Sequence, residues 1–329
     1  MSDPGLGDPS LGELPAGFVA RRPRRDDIDD LVALSAAAEL AAAGETSASR
    51  DELLGDWDQP RFDYDRNAWL VSAPDGRPAA YAWVLDSADH TCVDGEVAVV
   101  PEHQWHGLEA PLLDWVERFA RVLAAEAAPG PRVSLGVWCV RGEPRGALYL
   151  RAGFERVRTF RRLRTALDDL PADPLAYAPP PGLEVRRFMR DRDERAAWAA
   201  DQEAFAEHFR FSPQPLDEWL RLCFTEGADP DLWFLAWDGD EVAGVVISYV
   251  EPSGGYIAGL AVRHPWRRRG LGKLLLLTAF SALRERGCDT ATLGVDAGNE
   301  SGAVGLYEGL GMHEVLVHDF YEKTLRDGA

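Results

Sequence analysis

The sequence predicts an α/β protein made of two tandem domains, and three observations support this fold class. The chain has 329 residues, more than one hydrophobic core of ordinary size holds. Short runs in which apolar and polar residues alternate, as in strands, are followed in the sequence by longer runs with helical periodicity. The motif around Gly270 repeats the one around Gly107 at a distance of 163 residues. The segment around Tyr307 repeats the one around Tyr149 at 158 residues, so the two offsets nearly agree, as in a duplicated domain.

Composition and charge narrow the classes of function. With 46% hydrophobic and 27% charged residues, the chain has the balance of a globular protein. Its formal net charge of -20 at pH 7 repels nucleic acid and anionic membranes, and neither is expected as a partner. The same charge would attract an amine substrate, although a solvated acidic surface accounts for it equally well. No apolar run is long enough to span a membrane and the acidic start does not resemble a signal peptide, so we expect a cytoplasmic protein.

The first domain is predicted over residues 17–167, after a disordered tail at residues 1–16 that is rich in glycine and proline. A basic strand from Phe18 leads into an Ala- and Leu-rich helix, and Pro74-Asp75-Gly76 forms the turn between two strands. The other predicted elements are strands at 68–72, 79–85, 96–100 and 133–140, and helices at 28–43 and from about 110 to 128.

A Pro-rich stretch at residues 168–182 breaks every periodicity and is predicted to be a semi-rigid linker. The second domain follows at residues 183–329, with Asp238-Gly239-Asp240 as a typical hairpin turn. Its predicted elements are strands at 184–188, 232–237, 242–250, 256–262 and 290–295, and helices at 192–208, 213–224 and from the next loop to about 283.

An Arg-rich loop with two glycines, Arg267 to Gly272, lies between a predicted strand and a leucine-rich helix. Backbone N–H groups and the positive end of the helix converge on such a loop, glycines admit a large anion, and arginines add charge-assisted contacts. We therefore expect it to hold pyrophosphate or another multiply charged phosphate group. The spacing of the glycines excludes a P-loop, and Leu275 stands where a dinucleotide-binding motif needs its third glycine.

The pattern that remains, R-x-x-G-x-G, resembles the acyl-CoA pyrophosphate loop of the GNAT superfamily of N-acetyltransferases. A later segment agrees in register with a second family pattern, N-x-x-[AG]-x-x-x-Y-x-x-x-G-[FM]. The resemblance implies two tandem GNAT-like domains, each a mixed, mostly antiparallel sheet flanked by helices, with a parallel pair of strands that splays apart for acyl-CoA. The residues that match the second pattern are Asn299, Ala303, Tyr307, Gly311 and Met312.

The resemblance also implies a ligand and a set of site residues. Acetyl-CoA is the implied co-substrate, without a metal ion, and Tyr307 is the implied general acid for the departing thiolate. One N–H of the strand from Leu260 to Val262 would polarise the acetyl carbonyl as an oxyanion hole does. The implied cofactor-binding residues are Leu260, Ala261, Val262, Arg267, Arg268, Arg269, Gly270, Leu271, Gly272, Lys273, Asn299, Ala303 and Tyr307.

The general base is left open by the sequence. Family members often carry a glutamate on the strand before the loop, but the stretch from Tyr256 to Gly259 has no carboxylate. The candidates for base or amine anchor are Glu203, Glu207 and His208, on a helix that would overhang the substrate. Each of them could instead be a plain solvated residue. Glu251, at the end of the preceding strand, is a further possibility.

The two copies differ where the chemistry is expected. The first copy carries Glu109 where the second has Gly272, and a carboxylate there crowds and repels pyrophosphate. We therefore expect a degenerate N-terminal domain without tight acyl-CoA binding and a catalytic C-terminal domain. Tyr149 is then expected to be a core residue.

The predicted function is acetyl-CoA-dependent acetylation of a primary amine on a small molecule, by direct transfer, in a monomer or homodimer. The tandem arrangement with an inactive first half resembles GNAT members of the mycothiol synthase type, which implies acetylation of a cysteinyl pseudodisaccharide as an alternative. Two further possibilities stay open, namely transfer of a longer acyl group and an acyl-CoA-binding sensor or scaffold without turnover.

Overall fold

The computed structural model describes residues 9–46, 48–168, 170, 179–224, 228–251, 253–298 and 302–328, without the side chains of residues 51 and 52. The chain forms two compact units. Unit 1 comprises Met1–Thr159 and Leu316–Ala329, and unit 2 comprises Phe160–Val315.

Unit 1 is a mixed sheet packed against helices. Its strands are β1 (Val19–Arg21), β2 (Ala68–Ser72), β3 (Pro78–Asp86), β4 (Cys92–Val99), β5 (Val133–Val140) and most of β12 (His313–Arg326). Its helices are α1 (Ile28–Ala43), α2 (Arg50–Trp57), α3 (Tyr64–Asn67), α4 (Glu109–Ala124) and α5 (Arg145–Arg151). The strands follow one another in the order β1-β2-β3-β4-β5-β12, and β4 and β5 form the parallel pair.

The core of unit 1 forms where α4 packs on the sheet. This helix repeats large apolar residues at helical spacing, so Leu112, Trp115 and Phe119 share one buried face. Part of the predicted tail contacts the same core, which the sequence did not anticipate. The indole N–H of Trp115 donates to the carbonyl of Pro9 at 3.1 Å, and Leu14 packs against the core.

Unit 2 has the same plan. Its strands are β6 (Glu155–Ala166, from Phe160 onward), β7 (Leu183–Arg187), β8 (Phe234–Asp238), β9 (Glu241–Glu251), β10 (Gly254–Val262) and β11 (Thr290–Asp296). Its helices are α6 (Glu194–Phe205), α7 (Leu216–Cys223), α8 (Leu271–Glu285) and α9 (Ala303–Glu308). The strand order is β6-β11-β10-β9-β8-β7, and the parallel pair is β10 with β11.

The core of unit 2 holds α6 and α8 close to β10. The leucines of α8 are buried, and Leu275 and Leu283 lie under the sheet at positions where only glycine fits on the strands above them. Trp233 is fully buried and stacks on Phe224 at 4.6 Å between ring centroids, with Trp219 of α7 at its edge. These contacts fix α7 on the core, and the indole N–H of Trp219 joins α7 to α6 by donating to Asp201 at 3.0 Å.

Local patterns predict most of the elements well. The structure confirms the helix at Ile28–Ala43 and the strand at Val133–Val140, while the predicted helix at 192–208 begins and ends two to three residues inside those bounds. The sequence did not predict β6 and β12, because β6 is Arg-rich and β12 alternates charged with apolar residues.

The two units differ from the predicted domains at 17–167 and 183–329. Residues 160–166 of β6 pair with β11, whereas residues 318–326 of β12 pair with β5. Each unit therefore contains a strand from the other half of the chain. Most of the predicted linker at 168–182 lies outside the described residues.

Candidate functional site

The loop that enters α8 has the backbone geometry of an anion cradle. Arg268 has a φ of +63° and Gly270 a φ of +83°, so the left-handed conformation occurs at alternate positions. This arrangement turns successive backbone N–H groups toward one point. The first helical hydrogen bond is donated by the Leu274 N–H to the Gly270 carbonyl at 3.2 Å, so the earlier N–H groups of the turn carry no helical bond. Gly272 has no side chain to cover them.

An open cleft of about 630 Å³ runs from this loop along β10. The parallel pairing of β10 with β11 covers only Gly255–Ile257 on the β10 side. At Ala258 the register of β10 with β9 shifts, which marks a β-bulge. Beyond the bulge, both strands of the parallel pair line the cleft, including the segment from Leu260 to Val262. The predicted splayed pair of strands is thereby confirmed.

Tyr307 lies on α9 and lines the cleft. The residue is 7% exposed, and burial raises the pKa of its hydroxyl to about 12. A phenol with a raised pKa keeps its proton at neutral pH and can donate it. Ala303, the first residue of α9, also lines the cleft and leaves space for a ligand there.

The three arginines of the loop have different environments. Arg267 ties the loop to its neighbours, because its guanidinium donates to the carbonyl of Val262 at 3.0 Å and to that of Ala204 at 3.4 Å. Arg267 and Arg268 line the cleft, and Arg268 is exposed to solvent. Arg269 is exposed beside the cleft and is not part of its lining.

The predicted base candidates separate into two groups. Glu203 accepts from Arg263 at 2.7 Å, and Glu207 pairs with Arg267 at 3.7 Å, so both carboxylates face cations next to the loop. His208 lines the cleft, and partial burial lowers the pKa of its imidazole despite the nearby charge of Asp296.

Glu251 stands apart from these candidates. It pairs with Arg162 of β6 at 3.5 Å, and both side chains are largely buried.

Asp201 was missed by the sequence analysis. It lies on α6, one turn after the buried Ala197, and burial raises the pKa of its carboxyl. One of its oxygens, Oδ1, lies 4.0 Å from the position that a Cβ on Gly259 would occupy. The available signal was an acidic residue on the apolar face of a predicted helix.

Some expectations fall outside what the structure describes. Asn299 lies beyond the described residues, so its predicted contact with acyl-CoA stays a prediction. The described residues contain no group of three or more His, Cys, Asp or Glu side chains that could hold a metal ion. Within the same residues, no helix is long and apolar enough to cross a membrane.

Unit 1 contains a loop with the same backbone geometry, but a side chain of unit 1 occupies its anion cradle. Trp105 has a φ of +66° and Gly107 a φ of +90°, which repeats the alternation found in unit 2. Glu109 begins α4, and its Oε1 accepts the Trp105 N–H at 2.7 Å. The residue is only 8% exposed. A carboxylate of the chain thus lies where an external anion would accept the loop N–H.

The gap beyond the parallel pair of unit 1 is also filled. Pairing of β4 with β5 ends at Gly95 on the β4 side. Arg145, the first residue of α5, is 7% exposed and donates to the Val97 carbonyl at 2.8 Å. It also forms an ion pair with the buried Glu143. Burial alone would lower the pKa of Arg145, but the charge of Glu143 raises it well above its ordinary value.

Tyr149 follows Arg145 by four residues, as Tyr307 follows Ala303. It is fully buried, in ring contact with Phe154, which confirms the expectation of a core residue. Burial raises the pKa of its hydroxyl as well.

Comparisons with known proteins agree with this geometry. The profile of the acetyltransferase (GNAT) family matches residues 194–312, which include most of the residues that line the cleft, the Arg-rich loop and Tyr307. A mycothiol acetyltransferase from Kineococcus radiotolerans is 34% identical over 308 residues, which cover 92% of this chain and 95% of the relative.

Solved structures extend the likeness to nearly the full chain. A GCN5-related N-acetyltransferase from Sphaerobacter thermophilus superposes with a TM-score of 0.80 at 31% identity, over 96% of this chain and 98% of the other. A tandem GNAT protein from the clavulanic acid biosynthesis pathway superposes with a TM-score of 0.68 at 15% identity, over 95% and 99% of the two chains. The second likeness shows the fold alone.

Proposed function

Because this chain belongs to the GNAT family and is an acyltransferase, we propose that it transfers the acetyl group of acetyl-CoA to a primary amine of a small molecule. The observation that carries the proposal is the cleft of unit 2, which joins an open anion cradle to a splayed pair of strands and ends at a protonated phenol. These are the three parts that acyl transfer from a large anionic thioester needs.

The cradle is proposed to hold the pyrophosphate of acetyl-CoA. The left-handed residues Arg268 and Gly270 and the first turn of α8 supply backbone N–H groups, and Gly272 leaves them accessible. Arg268 and Lys273 add positive charge at the lining of the cleft. The pantetheine arm is proposed to lie in the gap beyond the bulge, against Leu260 to Val262 and past the small side chain of Ala303.

Two groups are proposed to act on the acetyl group and the thiolate. An N–H of β10 beyond the bulge holds the acetyl oxygen as the amine attacks, because backbone groups of that segment face no partner on β11 in the described register. Tyr307 gives its proton to the thiolate that leaves. Of the three predicted base candidates, His208 is the one that lines the cleft, and partial burial lowers the pKa of its imidazole, so it stays the alternative base to be tested.

The acceptor class is proposed from the relatives. One relative that aligns over most of both chains is a mycothiol acetyltransferase. The cysteinyl amine of a pseudodisaccharide is therefore the first acceptor to test, with simpler amino sugars after it.

The test uses the purified full chain with acetyl-CoA and a panel of amines: a cysteinyl pseudodisaccharide, cysteine, an aminoglycoside and glucosamine, with glucose as the matched control that lacks an amine. Mass spectrometry should detect one added acetyl group on an amine and none on glucose. Calorimetry should give one acetyl-CoA per chain. Binding without product across the panel would favour the non-catalytic sensor, and faster turnover with octanoyl-CoA would favour a longer acyl donor.

A further inference from the structure

We infer that Asp201 of α6 is the residue that receives the ammonium group of the acceptor and takes its proton before attack. The inference rests on the proposed function, since it assigns a role within the same reaction. Asp201 was not among the candidates that the sequence suggested, although it lies on the same helix as Glu203.

The position of Asp201 places a carboxylate beside the reacting segment. Its Oδ1 faces Gly259, at 4.0 Å from the point where a Cβ would begin. Gly259 lines the cleft and directly follows the bulge at Ala258, where β10 departs from β11. An acetyl carbonyl held by the N–H groups of this segment would lie within reach of an amine bound to Oδ1.

The hydrogen bonds of Asp201 orient the carboxylate and leave one oxygen for a ligand. Trp219 of α7 donates its indole N–H to Oδ2 at 3.0 Å, and Gln202 donates to the same oxygen at 3.3 Å. Within the described part of the chain, Oδ1 accepts no hydrogen bond. Asp201 is only partly buried, so a ligand can reach this oxygen, and a primary ammonium group supplies up to three donors to it.

The surroundings favour a cation on this oxygen. The titratable groups that face Asp201 are Cys223 of α7 and Tyr249 of β9. Burial raises the pKa of the Cys223 thiol to about 12 and raises that of the Tyr249 hydroxyl as well, so both stay neutral. Tyr256 of β10 lies across from Tyr249. Asp201 therefore supplies negative charge next to uncharged sulfur and aromatic groups, which suits a small organic cation.

The protons of the reaction balance when Asp201 acts as the base. The ammonium group gives one proton to Oδ1, and the neutral amine attacks the carbonyl carbon of the thioester, forming the C–N bond. The C–S bond then breaks, and the thiolate takes the Tyr307 proton. A second proton leaves nitrogen as the amide forms and restores Tyr307 through solvent, while Asp201 releases its proton to water. One ammonium and one thioester become one amide, one thiol and one free proton.

The experiment compares Asp201→Asn with Asp217→Asn, an exposed change on α7, in the full chain. The substrate is the panel amine with the highest turnover. Asp201→Asn should lower kcat by roughly 10²-fold or more at pH 7, as expected for loss of a general base. The acidic limb of the wild-type kcat profile should disappear, and the deficit should shrink as pH rises toward the pKa of the free amine. Acetyl-CoA binding, measured by calorimetry, should stay within about twofold for both variants.

Each outcome decides the inference. Turnover and a pH profile like the wild type in Asp201→Asn would overturn it while leaving the proposed function intact. Loss of the acidic limb in His208→Gln, with Asp201→Asn unaffected, would assign the base to His208. Absence of product with every amine in the wild type would remove the proposed function and this inference with it. A drop in kcat together with lost acetyl-CoA binding would show that Asp201 only supports the fold.

Discussion

The Arg-rich loop of unit 2 and its counterpart in unit 1 have the same backbone conformation but differ in the group that contacts the loop. Left-handed residues stand at Arg268 and Gly270 in one and at Trp105 and Gly107 in the other, with φ values between +63° and +90°. In unit 1 the carboxylate of Glu109 accepts a loop N–H, whereas in unit 2 the loop is left for an external anion. The same cradle is therefore closed in one unit and open in the other.

The gap between the parallel strands shows the same contrast. In unit 1 the guanidinium of Arg145 fills the space beside Val97, and β4 pairs with β3 without a bulge. In unit 2 the matching helix begins with Ala303, and β10 carries a bulge at Ala258.

Unit 1 shows how a fold suited to ligand binding can serve as a structural domain. Loops and splayed strands expose backbone donors and acceptors that must find partners when they are buried. Unit 1 supplies those partners from its own side chains, an anion in the loop and a cation in the gap. It keeps the architecture of a binding domain while removing the need for a ligand.

The largest effect is expected from removing the internal cation of unit 1. Arg145→Met leaves Glu143 buried without its partner, and breaking a buried ion pair costs about 3–5 kcal/mol. Urea unfolding should show this loss, with acetyl-CoA binding in unit 2 unchanged. Arg118→Met, which removes an exposed pair with Asp114, is the control and should cost under about 1 kcal/mol. Equal stability of both variants would mean that Arg145 does not replace a ligand.

A second change should convert the open loop into the closed one. In Gly272→Glu, the new carboxylate would accept the Arg268 N–H as Glu109 does for Trp105 and would repel the pyrophosphate. Acetyl-CoA should bind about 100-fold more weakly by calorimetry, because like-charge contact in a partly dry site costs a few kcal/mol. Gly272→Gln adds a side chain of the same size without the charge. Its affinity for acetyl-CoA should fall about tenfold less than that of Gly272→Glu. If Glu and Gln variants weaken binding equally, bulk and not charge separates the two loops.

The two tyrosines give a third comparison, on rate. For Tyr307→Phe we expect kcat to fall by roughly 10²-fold with a nearly unchanged KM for acetyl-CoA, because the ring still packs. The raised pKa, about 12, disfavours the phenolate, so the wild-type rate should hold to pH 10 without loss from this group. Tyr149→Phe should leave kcat unchanged. Full activity in Tyr307→Phe would mean that Tyr307 packs in the core and donates no proton.

The smallest expected effect concerns the exposed arginines. Arg268 lines the cleft and Arg269 does not, although the sequence gives no reason to separate them. Arg268→Glu should raise the acetyl-CoA KM about tenfold, since a charge-assisted hydrogen bond contributes roughly 1.5–3 kcal/mol. Arg269→Glu should have a smaller effect that added salt removes. A larger rise in KM for Arg269→Glu than for Arg268→Glu would place the pyrophosphate on the other side of the loop.

Sequence alone could predict the parts of this molecule that depend on local pattern. The helix at Ile28–Ala43, the cradle at Gly270 and the substitution at Glu109 follow from periodicity and spacing between neighbours along the chain. Arg145 could not be predicted to fill the gap, because its partner Val97 is remote in sequence and only the fold brings the two together. Asp201 was missed for the same reason, since Gly259 meets it through packing of α6 on β10.

The placement of β12 has a consequence for how the protein is made. Strand β5 is synthesised early, but residues 318–326, which complete the sheet beside it, emerge only after all of unit 2 has been translated. During that interval one edge of β5, with buried residues such as Leu135 and Val137, has no strand to cover it. Open strand edges attract other chains, so the nascent polypeptide is exposed to association with other chains until residues 318–326 pair with β5. A ribosome that stalls within unit 2 leaves the sheet of unit 1 without the strand that pairs with β5.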